Sequence, residues 1–150
     1  MIDITLRLNK AKVLEGVAQT TSYTGKKMPE DDDAYERIFT TDEDQSMLSR
    51  FWDEAKNAVC QALKRELAEE REDDEGNYSV RLSLSNAFDE ALTNSMERSL
   101  YSFFVMSITS KWYKFANKPE AADYATEAAG YLEDVKRKAY FKKRPKRPTY

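Results

Sequence analysis

Tyr78-Ser-Val-Arg-Leu-Ser-Leu84 places an apolar residue at every second position, with Ser79, Arg81 and Ser83 between. A period of two puts one set of side chains on one face of an extended chain, so the stretch reads as a half-buried strand. The pattern occurs a second time, where Ile2, Ile4, Leu6 and Leu8 alternate with Asp3, Thr5 and Arg7. Two strands alone are marginal in water. They are expected to pair with each other and lie on helices, with outer edges open to a strand from a neighbour.

Outward from the strands the period changes to that of a helix. Ala11, Leu14, Val17, Ala18 and Thr21 share one helical face over residues 10–23. Gly25 follows, where a left-handed helix cap would want a glycine. Residues 26–33 read as a polar loop and residues 34–39 as a short helix. Thr40-Thr-Asp-Glu43 is a capping box. It opens a long helix expected from residue 42 to residue 70, with the stripe Leu48, Phe51, Trp52, Ala55, Val59, Ala62, Leu63 and Leu67. That helix dissolves into the charge run Glu69–Glu75 and stops before Gly76-Asn77.

After the second strand, a helix is expected over residues 86–116. Phe88, Ala91, Leu92, Met96, Leu100, Phe103, Phe104, Ile108, Trp112 and Phe115 form its stripe. Pro119 fits the first turn of a last helix, whose face carries Ala121, Ala125, Ala128, Leu132, Val135 and Ala139. Gly130 weakens that helix by ~1 kcal/mol relative to alanine. The expected fold is mainly α, of α+β type: a bundle of long helices with a small two-stranded sheet, in the order β-α-α-α-β-α-α. Residues 1–140 make one helical domain, and residues 141–150 an extended basic C-terminal arm.

The composition agrees with a globular, helix-rich chain. Of 150 residues 41% are hydrophobic and 34% charged, and only four Gly and four Pro occur. One cysteine, Cys60, excludes an internal disulfide and fits a reducing compartment. No basic segment precedes an apolar run, so no secretory signal is expected. The longest apolar run, Phe103–Met106, is far too short for a membrane span. Charge is unevenly placed: residues 136–150 hold eight Lys/Arg and no acid, and residues 1–135 hold all 27 acids. An acidic body repels nucleic acid, while a basic tail attracts phosphates or another acidic surface.

Little in the chain points to catalysis. Histidine is absent, which removes the usual general base and the commonest metal ligand. No phosphate-binding glycine loop or nucleophile elbow occurs. Asp31–Asp33 and Asp73–Glu75 could supply paired carboxylates, but they read as solvated charge without calcium-loop spacing. Cys60, on the apolar side of a helix, reads as a small hydrophobe rather than a reactive thiol. Lys111-Trp-Tyr-Lys-Phe115 has the ingredients of a base-stacking platform. Trp112 and Phe115 continue an apolar stripe, however, which places them in the core and leaves Tyr113 and Lys114 exposed. No catalytic, metal or cofactor residue is expected.

The tail is the strongest lead. Lys142-Lys-Arg-Pro-Lys-Arg-Pro148 cannot continue a helix past Pro145 and should be extended. Lys142, Lys143, Arg144, Lys146 and Arg147 would carry its contacts, with Tyr140, Phe141 and Tyr150 as apolar anchors. Such an arm can dock on an acidic protein surface, on phosphates, or in an aromatic groove through Pro145 and Pro148. It can also act as a nuclear import signal, and the plain alternative is a solvated, disordered terminus.

The segments Leu8-Asn-Lys-Ala-Lys-Val-Leu-Glu-Gly-Val-Ala-Gln-Thr-Thr-Ser-Tyr-Thr-Gly-Lys-Lys-Met28, Ala34-Tyr-Glu-Arg-Ile-Phe-Thr-Thr-Asp-Glu-Asp44 and Phe51-Trp-Asp-Glu-Ala55 resemble small proteins from structural operons of tailed bacteriophages and prophages of gut bacteria. The resemblance covers the first 60 residues or so. It implies a virion assembly protein near the portal: a head–tail connector, adaptor or tail-completion subunit, made in the host cytoplasm. It further implies ring assembly, with copies of itself and portal or other head and tail proteins as partners, DNA nearby without specific binding, and no membrane. Acidic body and basic arm would then be self-complementary, which sets register and partner choice. The alternative is a small nucleic-acid-binding or regulatory protein that uses the arm on phosphates.

Overall fold

The computed structural model describes residues 1–26 and 44–145. Along the chain run β1 (Ile2–Asn9), α1 (Lys10–Lys26), α2 (Gln45–Ala62), β2 (Leu67–Glu72), β3 (Asn77–Leu84), α3 (Thr93–Ala116) and α4 (Lys118–Lys138). The fold is mainly helical with a small antiparallel sheet. The loop expected at 26–33, the short helix at 34–39 and the capping box at 40–43 fall largely or wholly outside the described residues.

The two alternating stretches do pair, with Ile2 opposite Leu84 and Asn9 opposite Asn77. This register puts Ile4, Leu6, Leu8, Tyr78, Val80, Leu82 and Leu84 on one face, and all seven are buried. Helices α2 and α3 close over that face. Trp52, Tyr78 and Phe104 meet at ring centroids 4.9–5.9 Å apart, in tilted and edge-on geometries favoured by aromatic quadrupoles.

The sheet has a third strand, in the order β1-β3-β2, which corrects the two-stranded expectation. Helix α2 ends at Ala62, eight residues short of the expected boundary. A turn at Leu63 follows, in which Glu66 and Leu67 donate to the Leu63 carbonyl at 3.0 and 2.9 Å. The charged run Leu67–Glu72 is then a strand against β3. Turn chemistry decides this. The Asp73 carboxylate accepts the backbone N–H groups of Glu75 and Asn77, both at 2.9 Å, an Asx-type closure. Gly76 sits at φ 82°, where an L side chain is strained. Its carbonyl accepts from the Lys10 N–H at 2.8 Å, so the hairpin tip is also fastened to the β1–α1 junction.

Gly25 lies inside α1, which runs to Lys26, and is not a left-handed cap. Helix α3 begins at Thr93, later than the expected residue 86. Asp89 holds the preceding turn by accepting from the Ala91 N–H at 3.1 Å, and Phe88 is buried from that turn. Helices α3 and α4 form an antiparallel hairpin tied by Ser99 to Asp134 at 2.7 Å, Lys138 to Ser95 at 2.6 Å, and Ser110 to the Ala121 carbonyl at 3.1 Å. Pro119 occupies the first turn of α4. Ala121, Ala128, Val135 and Ala139 are buried. Leu132 is half-buried, whereas Ala125 is exposed, so the apolar stripe is narrower than expected.

The end of α3 also differs. Phe115 is 72% exposed and Trp112 half-buried, while Tyr113 is fully buried. The chain reverses at Asn117, and α4 returns on the Tyr113 side. Tyr124 meets the Tyr113 ring at 5.1 Å, edge-on. The face covered by α4, and not the continuation of the upstream stripe, decides which aromatic is inside.

Candidate functional site

The arm leaves the body at a built junction. Three cations, Lys136, Arg137 and Lys138, lie in the last turn of α4, where they complement the helix dipole. Tyr140 and Phe141 donate to the Arg137 and Lys138 carbonyls at 3.1 and 3.0 Å, closing the helix end. The chain then pairs with the turn before α3. Asp89 N–H donates to the Phe141 carbonyl at 3.2 Å, and Lys143 N–H to the Ala87 carbonyl at 2.7 Å. Lys142 and Phe88 form the antiparallel bridge between them. The Tyr140 hydroxyl donates to the Glu66 carboxylate. That bond, more than burial, holds the phenol proton on and raises its pKa.

Side chains at this junction point out. Tyr140 is 60% and Phe141 42% exposed, and Lys142, Lys143 and Arg144 are exposed. None of these three cations has an ion pair among the described residues. Beneath the junction is a cavity of about 330 Å³ lined by Met1, Arg65, Leu84, Phe88, Tyr140 and Phe141. Of the eight residues the sequence assigned to partner contact, the structure brings Tyr140 to Arg144 together. Lys146, Arg147 and Tyr150 lie outside the described residues.

A second cluster escaped the sequence reading. An open cleft of about 1230 Å³ at the hairpin end of the sheet is lined by Arg7, Lys12, Arg71, Glu97, Arg98 and Tyr101, among others. Arg7 N–H donates to Glu97 at 3.2 Å, and the Tyr101 hydroxyl donates to the Lys12 carbonyl at 3.3 Å. Burial raises the Tyr101 pKa. These residues come from β1, α1, β2 and α3, so no local motif announces them.

The remaining candidates are spoken for by the fold. Cys60 is half-buried and donates to Glu70. Burial, reinforced by that carboxylate, pushes its thiol up to about 11, so it is protonated near neutrality and a poor nucleophile. Burial, then the Glu70 charge, likewise keep the neighbouring Tyr78 phenol protonated. Lys111 pairs with Glu54 at 2.8 Å, and that hydrogen bond holds the Glu54 carboxyl low. Its cation is therefore engaged and not presented to a nucleic acid. Asp73 is spent on the hairpin turn, and Asp31–Asp33 lie outside the described residues. Among the described residues no group of three acidic, His or Cys side chains could hold a metal ion. No described helix is long and apolar enough to cross a membrane.

No protein-family model, curated protein or solved structure matches this chain.

Proposed function

We propose that the chain is a non-enzymatic assembly protein of a tailed-phage particle, a head–tail connector, adaptor or tail-completion subunit. It is made in the host cytoplasm, joins the virion as a ring of copies, and grips its neighbours through the C-terminal arm. One observation supports the gripping role above the others. The base of the arm is clamped to Ala87–Asp89 by backbone hydrogen bonds, yet Lys142, Lys143 and Arg144 stay exposed. A fixed departure point with free cations suits docking on an acidic surface, where complementarity sets orientation. The phage context rests on the resemblance of the first 60 residues or so.

Charge reversal of Lys142, Lys143 and Arg144 to Glu tests this. The clamp uses backbone atoms and should survive, so the variant should fold as wild type but fail to enter particles. Incorporation at the normal level would refute the arm's role. The same cations suit phosphates, which is the second reading. About five tail contacts would then give a log–log salt slope near −4 to −5 on duplex DNA. Absent or salt-insensitive DNA binding removes that reading and leaves the first.

A further inference from the structure

The two outer strands of the sheet present very different edges. In an antiparallel sheet, successive residues turn their backbone N–H and C=O to opposite sides. Ser83 N–H donates to the Glu66 carbonyl at 2.8 Å, so odd residues of β3 face β2 and even ones face β1. Correspondingly, Arg7 N–H turns away from β3 and reaches the Glu97 carboxylate at 3.2 Å. Asp3, Thr5 and Arg7 therefore aim their backbone groups out of the sheet. Outside the β1–β3 pairing, no hydrogen bond meets the backbone of Asp3 or Thr5 among the described residues. The Glu97 oxygen stands where the carbonyl of another strand would stand.

Edges of this kind recruit strands unless charge guards them. β2 is guarded: Glu69, Glu70 and Glu72 outnumber Arg71, so two β2 edges would repel. β1 carries only Asp3 and Arg7 on its exposed face, two positions to either side of Thr5. We propose that two copies of the chain pair through β1, antiparallel about a two-fold axis at Thr5, joining their sheets edge to edge.

This register alone sets Asp3 of each copy opposite Arg7 of the other. It also sets Ile2 opposite Leu8 and Ile4 opposite Leu6, so the apolar face runs on unbroken. The charges are available for it. Arg7 is exposed and has no ion pair among the described residues. Asp3 is half-exposed and bonds Arg81 at 3.1 Å, and Arg81 in turn reaches Glu69 at 3.4 Å. Arg7 of the second copy would extend an alternating chain of charges Glu69–Arg81–Asp3–Arg7 across the joined sheet. In it Glu69 and Arg81 are directly opposite, Arg81 reaches Asp3 diagonally, and Asp3 and Arg7 of the two copies would be directly opposite. An isologous contact of this kind closes at two copies. It rests on β1 and depends neither on the arm nor on the phage context.

Sedimentation velocity of the full chain over a concentration series tests the contact. Wild type should show a concentration-dependent dimer. Asp3→Arg and Arg7→Asp should each weaken it about tenfold or more, by setting like charges opposite. An equimolar mixture of the two variants, and the D3R/R7D double variant, should restore it. Thr5→Pro should abolish it and leave the circular dichroism unchanged, since proline is tolerated where an edge N–H faces outward. A wild type that stays monomeric, a dimer that survives T5P, or a mixture no tighter than its components would overturn the proposal. Should any variant fail to fold, hydrogen exchange on wild type decides: slower exchange at Asp3 and Thr5 with rising concentration supports the contact, and unchanged exchange overturns it.

Discussion

Replacing Glu72 by Ala should destabilise the protein far more than its place in a charged run suggests. Glu72 accepts from the Trp52 indole N–H at 3.0 Å and from the Lys56 ammonium. Trp52 is fully buried, so losing the acceptor leaves a buried donor unsatisfied, a cost of about 1–3 kcal/mol. Lys56, with its side chain only 15% exposed, keeps Asp53 at 3.2 Å and loses up to about 1 kcal/mol. Burial works to lower the Lys56 pKa, but its hydrogen bonds to Glu72 and Asp53 outweigh that and raise it. The sum is about 1–4 kcal/mol, or about 2–16 °C in Tm for a domain of this size. Urea unfolding and calorimetry measure it, with Glu75→Ala, at the exposed hairpin tip, as the near-neutral control. Trp52→Phe removes the donor, so the double variant should cost about 1 kcal/mol less than the sum of the singles. An E72A variant within about 0.5 kcal/mol of wild type, or strict additivity, would refute this account of how β2 is held.

Three other perturbations probe separate parts of the fold. With its thiol pushed up to about 11, Cys60 should react with iodoacetamide at pH 8 on the order of 100-fold more slowly folded than in urea, and equal rates would refute the shielding. Burial of Asp134 works against its charge, but Lys138, Ser99 and Arg137 outweigh it and hold the carboxyl below its usual 3.8. A depressed folded-state pKa contributes stability above the ordinary carboxylate range that is lost as pH falls through the folded value. Asp134→Asn should therefore flatten the acid limb of Tm against pH, and an unchanged limb would count against the α3–α4 tie. Gly76→Ala should cost about 1–2 kcal/mol through its left-handed backbone, with the added Cβ only 3.1 Å from Lys10 Cβ, and a neutral result in urea unfolding would exclude strain at the turn.

The strands that carry the core were legible because burial on one face imposes a period of two, and the inward set of β1 and β3 follows from it. The register, Ile2 opposite Leu84, does not, because a two-residue slip keeps the same face inward. β2 was not legible. Leu67-Ala-Glu-Glu-Arg-Glu72 has only one large apolar residue and good helix formers, so local propensity favours continuing α2. What overrides it is distributed: a turn built by Asp73, Gly76 and Asn77, and donors on α2 (Trp52, Lys56 and Cys60) that hold the Glu72 and Glu70 carboxylates. The Gly76-Asn77 pair was visible, but as a helix stop and not as the corner of a hairpin. The outward turn of Phe115 was hidden for a similar reason, since the side α4 returns on is set beyond the helix that bears it. At the arm, sequence supplied the cations, and the clamp on Ala87–Asp89 could not be read because it consists of backbone bonds.

The third strand also changes the electrostatics of the body. In the sequence the acids at 69–75 are one unbroken charge run, with Asp73–Glu75 read as solvated charge. Glu69 is shared by Arg71 and Arg81, Glu70 and Glu72 face α2, and Asp73 closes the turn. Only Asp74 and Glu75, at the exposed hairpin tip, remain uncommitted within that run. An arm that docks on this part of a neighbour should therefore choose the tip and not the strand, because displacing the strand carboxylates would break bonds already made. Carbodiimide cross-linking of assembled protein reads this directly, since it joins an amine to a carboxyl in contact. Lys142 or Lys143 should link to Asp74 or Glu75 of another copy, as isotope-mixed samples can show. Links from the arm to Glu69 or Glu72 instead would mean that assembly opens the β2 edge, and that the body offers its strand and not its turn.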